Sequence, residues 1–168
     1  MSHNENYELT HFIIANAISD ILLQHGGSVL VGSNAWRIAQ GLTMYGDLDF
    51  VVYNKEFVYN MPHKVHQGIY NKILTTTICI HGISIDISTM DGININQDLQ
   101  NRSCVTSAII LTSSGYHIIS HTKERYLIPA NVDSEYWIRN IIRIKGKRVL
   151  QFWQKKLSSG YVWKNSII

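Results

Sequence analysis

Residues 47–53, Asp-Leu-Asp-Phe-Val-Val-Tyr, constrain the fold more than any other stretch of the chain. An extended backbone turns successive side chains to opposite faces. Leu48, Phe50 and Val52 then share one face, and Asp47 and Asp49 share the other. Such a segment is a half-buried strand: its apolar face needs a core, and its acidic face needs water or a ligand. An all-helical fold is excluded. The same division recurs at residues 83–88, where Ile83, Ile85 and Ile87 alternate with Ser84, Asp86 and Ser88.

Around these strands the pattern alternates between helix and strand. Residues 7–24 read as a helix whose apolar stripe is Phe12, Ile13, Ala15, Ala17, Ile21 and Leu22, widened by Ile14 and Ile18 and stopped at His25-Gly26-Gly27. Ser28 to Val31 is a short buried strand. Gly32-Ser33 turns into a second helix, Asn34 to Gln40, ended by Gly41. Lys55 to Tyr59 forms a short helix before Pro62. Residues 73–80 and 83–88 make a hairpin about His81-Gly82 that turns Asp86 away from the core. Met90 to Asn96 is a loop, and residues 105–112 and 116–120 form a second hairpin about Ser113-Ser114-Gly115. Asp133 is placed to cap a long terminal helix running to about Leu157, with Gly146 inside it. No repeat, low-complexity linker or domain boundary interrupts the 168 residues.

Charge adds an asymmetry. Residues 1–122 carry five Lys/Arg against nine Asp/Glu, whereas residues 123–168 carry ten against three. Between Arg139 and Lys156 there are seven basic residues and no acid. This is either a solvated helix face or a surface for phosphates, of a nucleotide or of nucleic acid. Cys79 and Cys104 have neither metal-ligand spacing nor a disulfide framework, and the eight histidines form no zinc pattern. The first eight residues are polar and no apolar run reaches about 18 residues. A cytoplasmic protein without a membrane span is expected.

Three of the twelve acids fall into an order with chemical meaning. A strand leads into Gly32-Ser33 at a helix N-terminus. Asp47 and Asp49 follow on one face of the next strand, and Asp86 lies on a later one. Hard carboxylate oxygens suit Mg²⁺, which takes one or two of them and shares the rest with phosphate and water. Two ions about 4 Å apart stabilise the attacking and leaving oxygens of a phosphoryl displacement. Backbone N–H groups at a positive helix end, with the Ser33 hydroxyl, suit phosphate oxygens.

The run from Leu30 to Gly41, the segment Gly46-Asp-Leu-Asp-Phe50 and the triplet Ile85-Asp-Ile87 resemble the nucleotidyltransferase superfamily related to DNA polymerase β. Its pattern is a hydrophobic-Gly-[Gly/Ser] turn, then [Asp/Glu]-x-[Asp/Glu], then a distal carboxylate. The resemblance covers roughly the first 90 residues. It implies an α+β fold, a mixed sheet flanked by helices, to which the residues after Asp133 add the long C-terminal helix. Residues 1–132 would form the catalytic unit and residues 133–168 a basic helical extension packed on it. It also implies transfer of a nucleoside monophosphate from an NTP, ATP or CTP, to a hydroxyl acceptor, with release of pyrophosphate. On that basis Gly32 and Ser33 contact the triphosphate. Asp47 and Asp49 ligate two Mg²⁺, and Asp86 ligates one and helps activate the acceptor.

Residues 99–110 resemble a stretch in the head domain of poly(A) polymerases and CCA-adding enzymes, where Arg102 and Ala108 match but Ser103 and Ser107 replace an aspartate and an asparagine. The Gly-Ser-Asn-Ala-Trp-Arg spacing also resembles small toxin-like nucleotidyltransferases. Arg37, Arg102, Arg139 and Arg143 are the candidate nucleotide contacts, the last two spaced with Lys147 along one helix face. An RNA 3′ end such as that of tRNA is the favoured acceptor, with a partner protein or a second copy completing the machinery. Two alternatives stand beside this reading. One is a non-catalytic nucleotide- or RNA-binding module of the same fold. The other is a toxin-type enzyme that modifies tRNA, protein or a small molecule.

Overall fold

The alternation at residues 48–52 is realised as strand β2 (Leu48–Val52), with Leu48, Phe50 and Val52 all buried. The structure, a computed structural model, describes residues 3–67, 72–90, 94–100, 107–121, 143 and 147–158. β1 (Ser28–Val31) runs antiparallel to β2 and pairs Val31 with Asp49. On its other side, β2 runs parallel to β5 (Ile83–Met90), which sets Asp49 beside Asp86 and Phe50 beside Ile87. β4 (Lys72–Ile80) closes a hairpin with β5, and β3 (Lys64–Gln67) pairs with its outer edge. β6 (Ala108–Thr112) joins β1 and is followed by β7 (Gly115–Ser120). The result is a seven-stranded mixed sheet in the order β3-β4-β5-β2-β1-β6-β7.

Three helices cover one face of this sheet. α1 (His3–Leu23), α2 (Gly32–Ala39) and α3 (Lys55–Tyr59) bring Ile14, Ile18, Leu22, Ala35, Ile38 and Val58 onto Leu30, Phe50, Ile85, Ile87 and Ile109. The other face is covered in part. There α4 (Ile95–Gln100) lays Ile95 and Leu99 against Val29, Val31, Val51 and Ala108. Each central strand therefore feeds two layers, because its alternate residues are apolar on both sides except where acids or hydroxyls intervene. α2 stops where the sequence demands: Gly41 has φ +76°, its N–H donates to Ile38 O at 2.9 Å, and Leu42 N–H donates to Arg37 O at 2.8 Å. That is the glycine-terminated helix end in which two late carbonyls are satisfied.

The expected α+β class and both expected hairpins are present. Several details differ. α1 buries Ile14, Ala15, Ile18 and Leu22, while Phe12, Ile13, Ala17 and Ile21 of the expected stripe are exposed. Its apolar residues are spread over more than one side, and polar His11 and Ser19 are buried among them, so periodicity alone offers no unique inner face. β3 was not expected: Val65 is its one strong strand former and is exposed, and pairing with β4 is what makes the segment a strand. α4 replaces part of the expected loop at 90–96 and extends beyond it. It is short, and Asn94 opens it, the Asn94 side chain accepting from Gln97 N–H while Gln97 returns the bond to Asn94 N–H, both at 3.0 Å. Of the expected terminal helix, Arg143 and α5 (Lys147–Ser158) are described as helical; Asp133 and Gly146 lie outside the described residues. Among the described residues no helix is long and apolar enough to cross a membrane.

Phe50 is 1% exposed at the centre of the larger core. Removing a buried aromatic ring costs both its transfer free energy and a cavity. Phe50→Ala is expected to lose about 3–5 kcal/mol of stability, measured as a lower midpoint in urea unfolding.

Candidate functional site

The three acids singled out by the sequence lie at one end of the parallel pair. Asp49 and Asp86 are direct register partners on β2 and β5, so both side chains stand on the face opposite the three-helix layer. Neighbouring strands are about 4.8 Å apart. The register continues the row outward: Asp86 is opposite Thr77 on β4, and Asp49 is opposite Val31 on β1. The Thr77 hydroxyl donates to Asp86 Oδ1 at 2.5 Å, which sets the orientation of that carboxylate. One pair further along, Thr75 and Ser88 hydroxyls are 2.8 Å apart. The row is thus hydroxyl, carboxylate, carboxylate, valine, a polar strip ending where β1 turns into α2.

That turn is fitted to Asp49. Gly32 has φ +75°, a left-handed backbone that side-chain-bearing residues rarely adopt. A Cβ built on Gly32 would stand 2.7 Å from Asp49 Oδ2. Glycine is therefore required twice over, by the backbone and by the space. α2 begins at Gly32 itself, with Val31 in the N-cap position and no side-chain cap bond. Ser33 is exposed within the first turn, not at the cap, and that turn carries no acid. The positive helix end at Gly32 is consequently beside the Asp49 carboxylate.

Asp47 is held differently. It is exposed and precedes the first laddered residue of β2. The loop that carries it, residues 42–47, is fastened by side chains from two helices. Asn34 Nδ2 donates to Asp47 O at 2.6 Å, while Asn34 Oδ1 accepts from Tyr45 N–H at 2.7 Å. His11, fully buried on α1, donates from Nε2 to Gly46 O at 2.9 Å. Arg37 Nε donates to Thr43 O at 2.5 Å.

The structure therefore brings together Gly32, Asp49 and Asp86, with Ser33 next in the chain after Gly32 and Asp47 two residues ahead of Asp49 on a tethered loop. Arg37 lies in the last turn of α2 and faces the loop carbonyl, about 7.5 Å along the axis from Gly32. Arg102 and Arg139 lie outside the described residues. Arg143 is described, exposed and helical. Sequence reasoning missed Asn34 and His11. Their partners are backbone atoms of an irregular loop, 13 and 35 residues away, and no periodicity announces such bonds.

Among the described residues no three His, Cys, Asp or Glu side chains converge on one point as they stand. Mg²⁺ asks less, one or two protein carboxylates with the remaining positions left to phosphate and water. The Asp49–Asp86 pair supplies carboxylate donors of that kind on adjacent strands.

No family model matches the chain, and neither does any curated protein or solved structure. What fold and site define together is a mixed α+β protein with a seven-stranded sheet and a carboxylate pair at a glycine turn.

Gly32→Ala imposes left-handed strain of about 1–2 kcal/mol and drives a methyl into the Asp49 carboxylate. The melting temperature is expected to fall by at least about 2–4 °C, measured by circular dichroism.

Proposed function

We propose that the protein is a Mg²⁺-dependent nucleotidyltransferase that moves a nucleoside monophosphate from ATP or CTP to a hydroxyl acceptor, with the 3′ end of an RNA favoured. The observation that carries this reading is the parallel β2–β5 register, which makes Asp49 and Asp86 neighbours beside the Gly32 turn. Like charges on adjacent strands repel, and a cation bound between them relieves that repulsion. A paired carboxylate site next to an anion-binding helix end is the electrostatic arrangement that a metal-bound triphosphate needs.

In this reading the first turn of α2 and the Ser33 hydroxyl bind the triphosphate oxygens. Asp47, Asp49 and Asp86 would hold two Mg²⁺, which would neutralise charge on the phosphates and on the reacting oxygens. Thr77 keeps the Asp86 carboxylate in place for its part in activating the acceptor. The acceptor O–H bond breaks, its proton passing to Asp86. The oxygen bonds to the α-phosphorus, and the bond from that phosphorus to the pyrophosphate oxygen breaks. Pyrophosphate leaves and the nucleoside monophosphate stays on the acceptor. The exposed Arg143, Arg148 and Lys155 of the C-terminal region supply charge for an RNA backbone.

A non-catalytic nucleotide- or RNA-binding module of the same architecture is the second reading, favoured by those same exposed cations. Label position separates the two. With Mg²⁺ and RNA, α-labelled ATP or CTP is expected to leave label on the RNA, and γ-labelled nucleotide to leave none. Asp49→Asn and Asp86→Asn should each reduce transfer to background. If both variants transfer as the wild type does, catalysis at this pair is wrong.

RNA binding by the basic region has its own signature. Log Kd is expected to rise linearly with log salt, and Arg148→Ala with Lys155→Ala should lower that slope by about 1–2, read by filter binding. A slope near zero would show that phosphate contacts do not hold the RNA.

A further inference from the structure

We infer that Asn34 is the positioning residue for Asp47, and that divalent-cation affinity at the Asp49–Asp86 pair depends on it although it touches no cation. The inference rests on reading that pair as a cation site. Asp47 has no partner in the β2 ladder, whose registers begin at Leu48 on one side and Asp49 on the other. The ladder therefore does not hold Asp47 directly; Asn34 does, at its carbonyl. The Asn34 side chain is 1% exposed, and both ends of its amide are engaged by the loop, Nδ2 to Asp47 O at 2.6 Å and Oδ1 to Tyr45 N–H at 2.7 Å.

A buried amide spent wholly on a loop orders that loop, since breaking either bond strands a polar group away from water. The loop is further held by His11 at Gly46 and by Arg37 at Thr43, so it has little freedom to settle elsewhere. Asn34 also belongs to the turn that begins with Gly32 and Ser33. One short element thus sets both the phosphate-facing helix end and the approach of the third carboxylate. No three acidic or imidazole side chains converge among the described residues. A small, tethered movement of Asp47 is what would bring the third donor onto an ion, and Asn34 governs its range. Partners that orient a ligand from behind typically change metal affinity by about 10–100-fold when removed.

A thermodynamic cycle tests this. Mn²⁺ binding is measured by isothermal titration calorimetry, well below the melting temperature, on the full chain. The proteins are wild type, Asn34→Ala, Asp47→Ala, the double variant, and Asp49→Asn as a site control. Asn34→Ala is expected to weaken Mn²⁺ by about 10-fold. In the Asp47→Ala background it should weaken binding further by less than about 2-fold, because its effect passes through Asp47. A purely structural role would lower the melting temperature without that non-additivity. Should Asn34→Ala not fold, Asn34→Ser, which keeps a donor but cannot span both loop groups, enters the same cycle. Wild-type affinity in the Asn34 variant, or an equal loss in both backgrounds, overturns the inference while Asp49→Asn still abolishes binding and leaves the cation site standing. If the wild type binds no Mn²⁺, the cation site itself falls, and the inference with it.

Discussion

The parallel contact between β2 and β5 is the constraint on which the rest of the arrangement depends. Every other pairing among the described strands is antiparallel. Two adjacent strands running the same way need a crossover of a dozen or more residues between them. The segment from Tyr53 to Gly82 supplies it, and spends it on α3, β3 and β4. Because β4 returns antiparallel through a two-residue turn, β5 is delivered beside β2 in the register that opposes Asp49 with Asp86. A slip of one residue would exchange the isoleucines of β5 with its polar residues and empty the core. The apolar layer on one face thus enforces the carboxylate pair on the other.

A second level of organisation lies in side-chain-to-backbone bonds. The loop before β2 has no regular hydrogen bonding of its own, yet it carries Asp47. His11, Asn34 and Arg37 substitute for a ladder by reaching Gly46, Asp47, Tyr45 and Thr43. Two of the three residues are buried, so their bonds are partly shielded from competing water. Gly32 completes the assembly by yielding the space that a Cβ would take from Asp49.

How legible this was in the sequence varied with the physical signal. Strands such as β5, with strict alternation, and β2, which departs from it only at Val51, could be read to within a residue or two, because period two has one interpretation when apolar and polar residues alternate cleanly. The glycine turns were equally legible. α1 was legible as a helix but not as a face, since Phe12 and Ile13 compete with Ile14 and Ile18 for the core. β3 was invisible because its residues have little strand preference apart from Val65, and its state is decided by β4. In the site, Asp47, Asp49, Asp86, Gly32 and Ser33 were all named from spacing. Arg37 was named as a nucleotide contact, and in the structure its Nε holds a loop carbonyl.

By itself the sequence determined which residues carry charge on otherwise apolar strands, and in what order the turn and the acids occur. Those are local properties, written in periodicity and in glycine. Tertiary structure alone decided that Asp49 and Asp86 are neighbours, since strand order and direction arise from how the whole apolar set packs. It also decided that a buried asparagine and a buried histidine, unremarkable in the chain, fix the loop that carries Asp47.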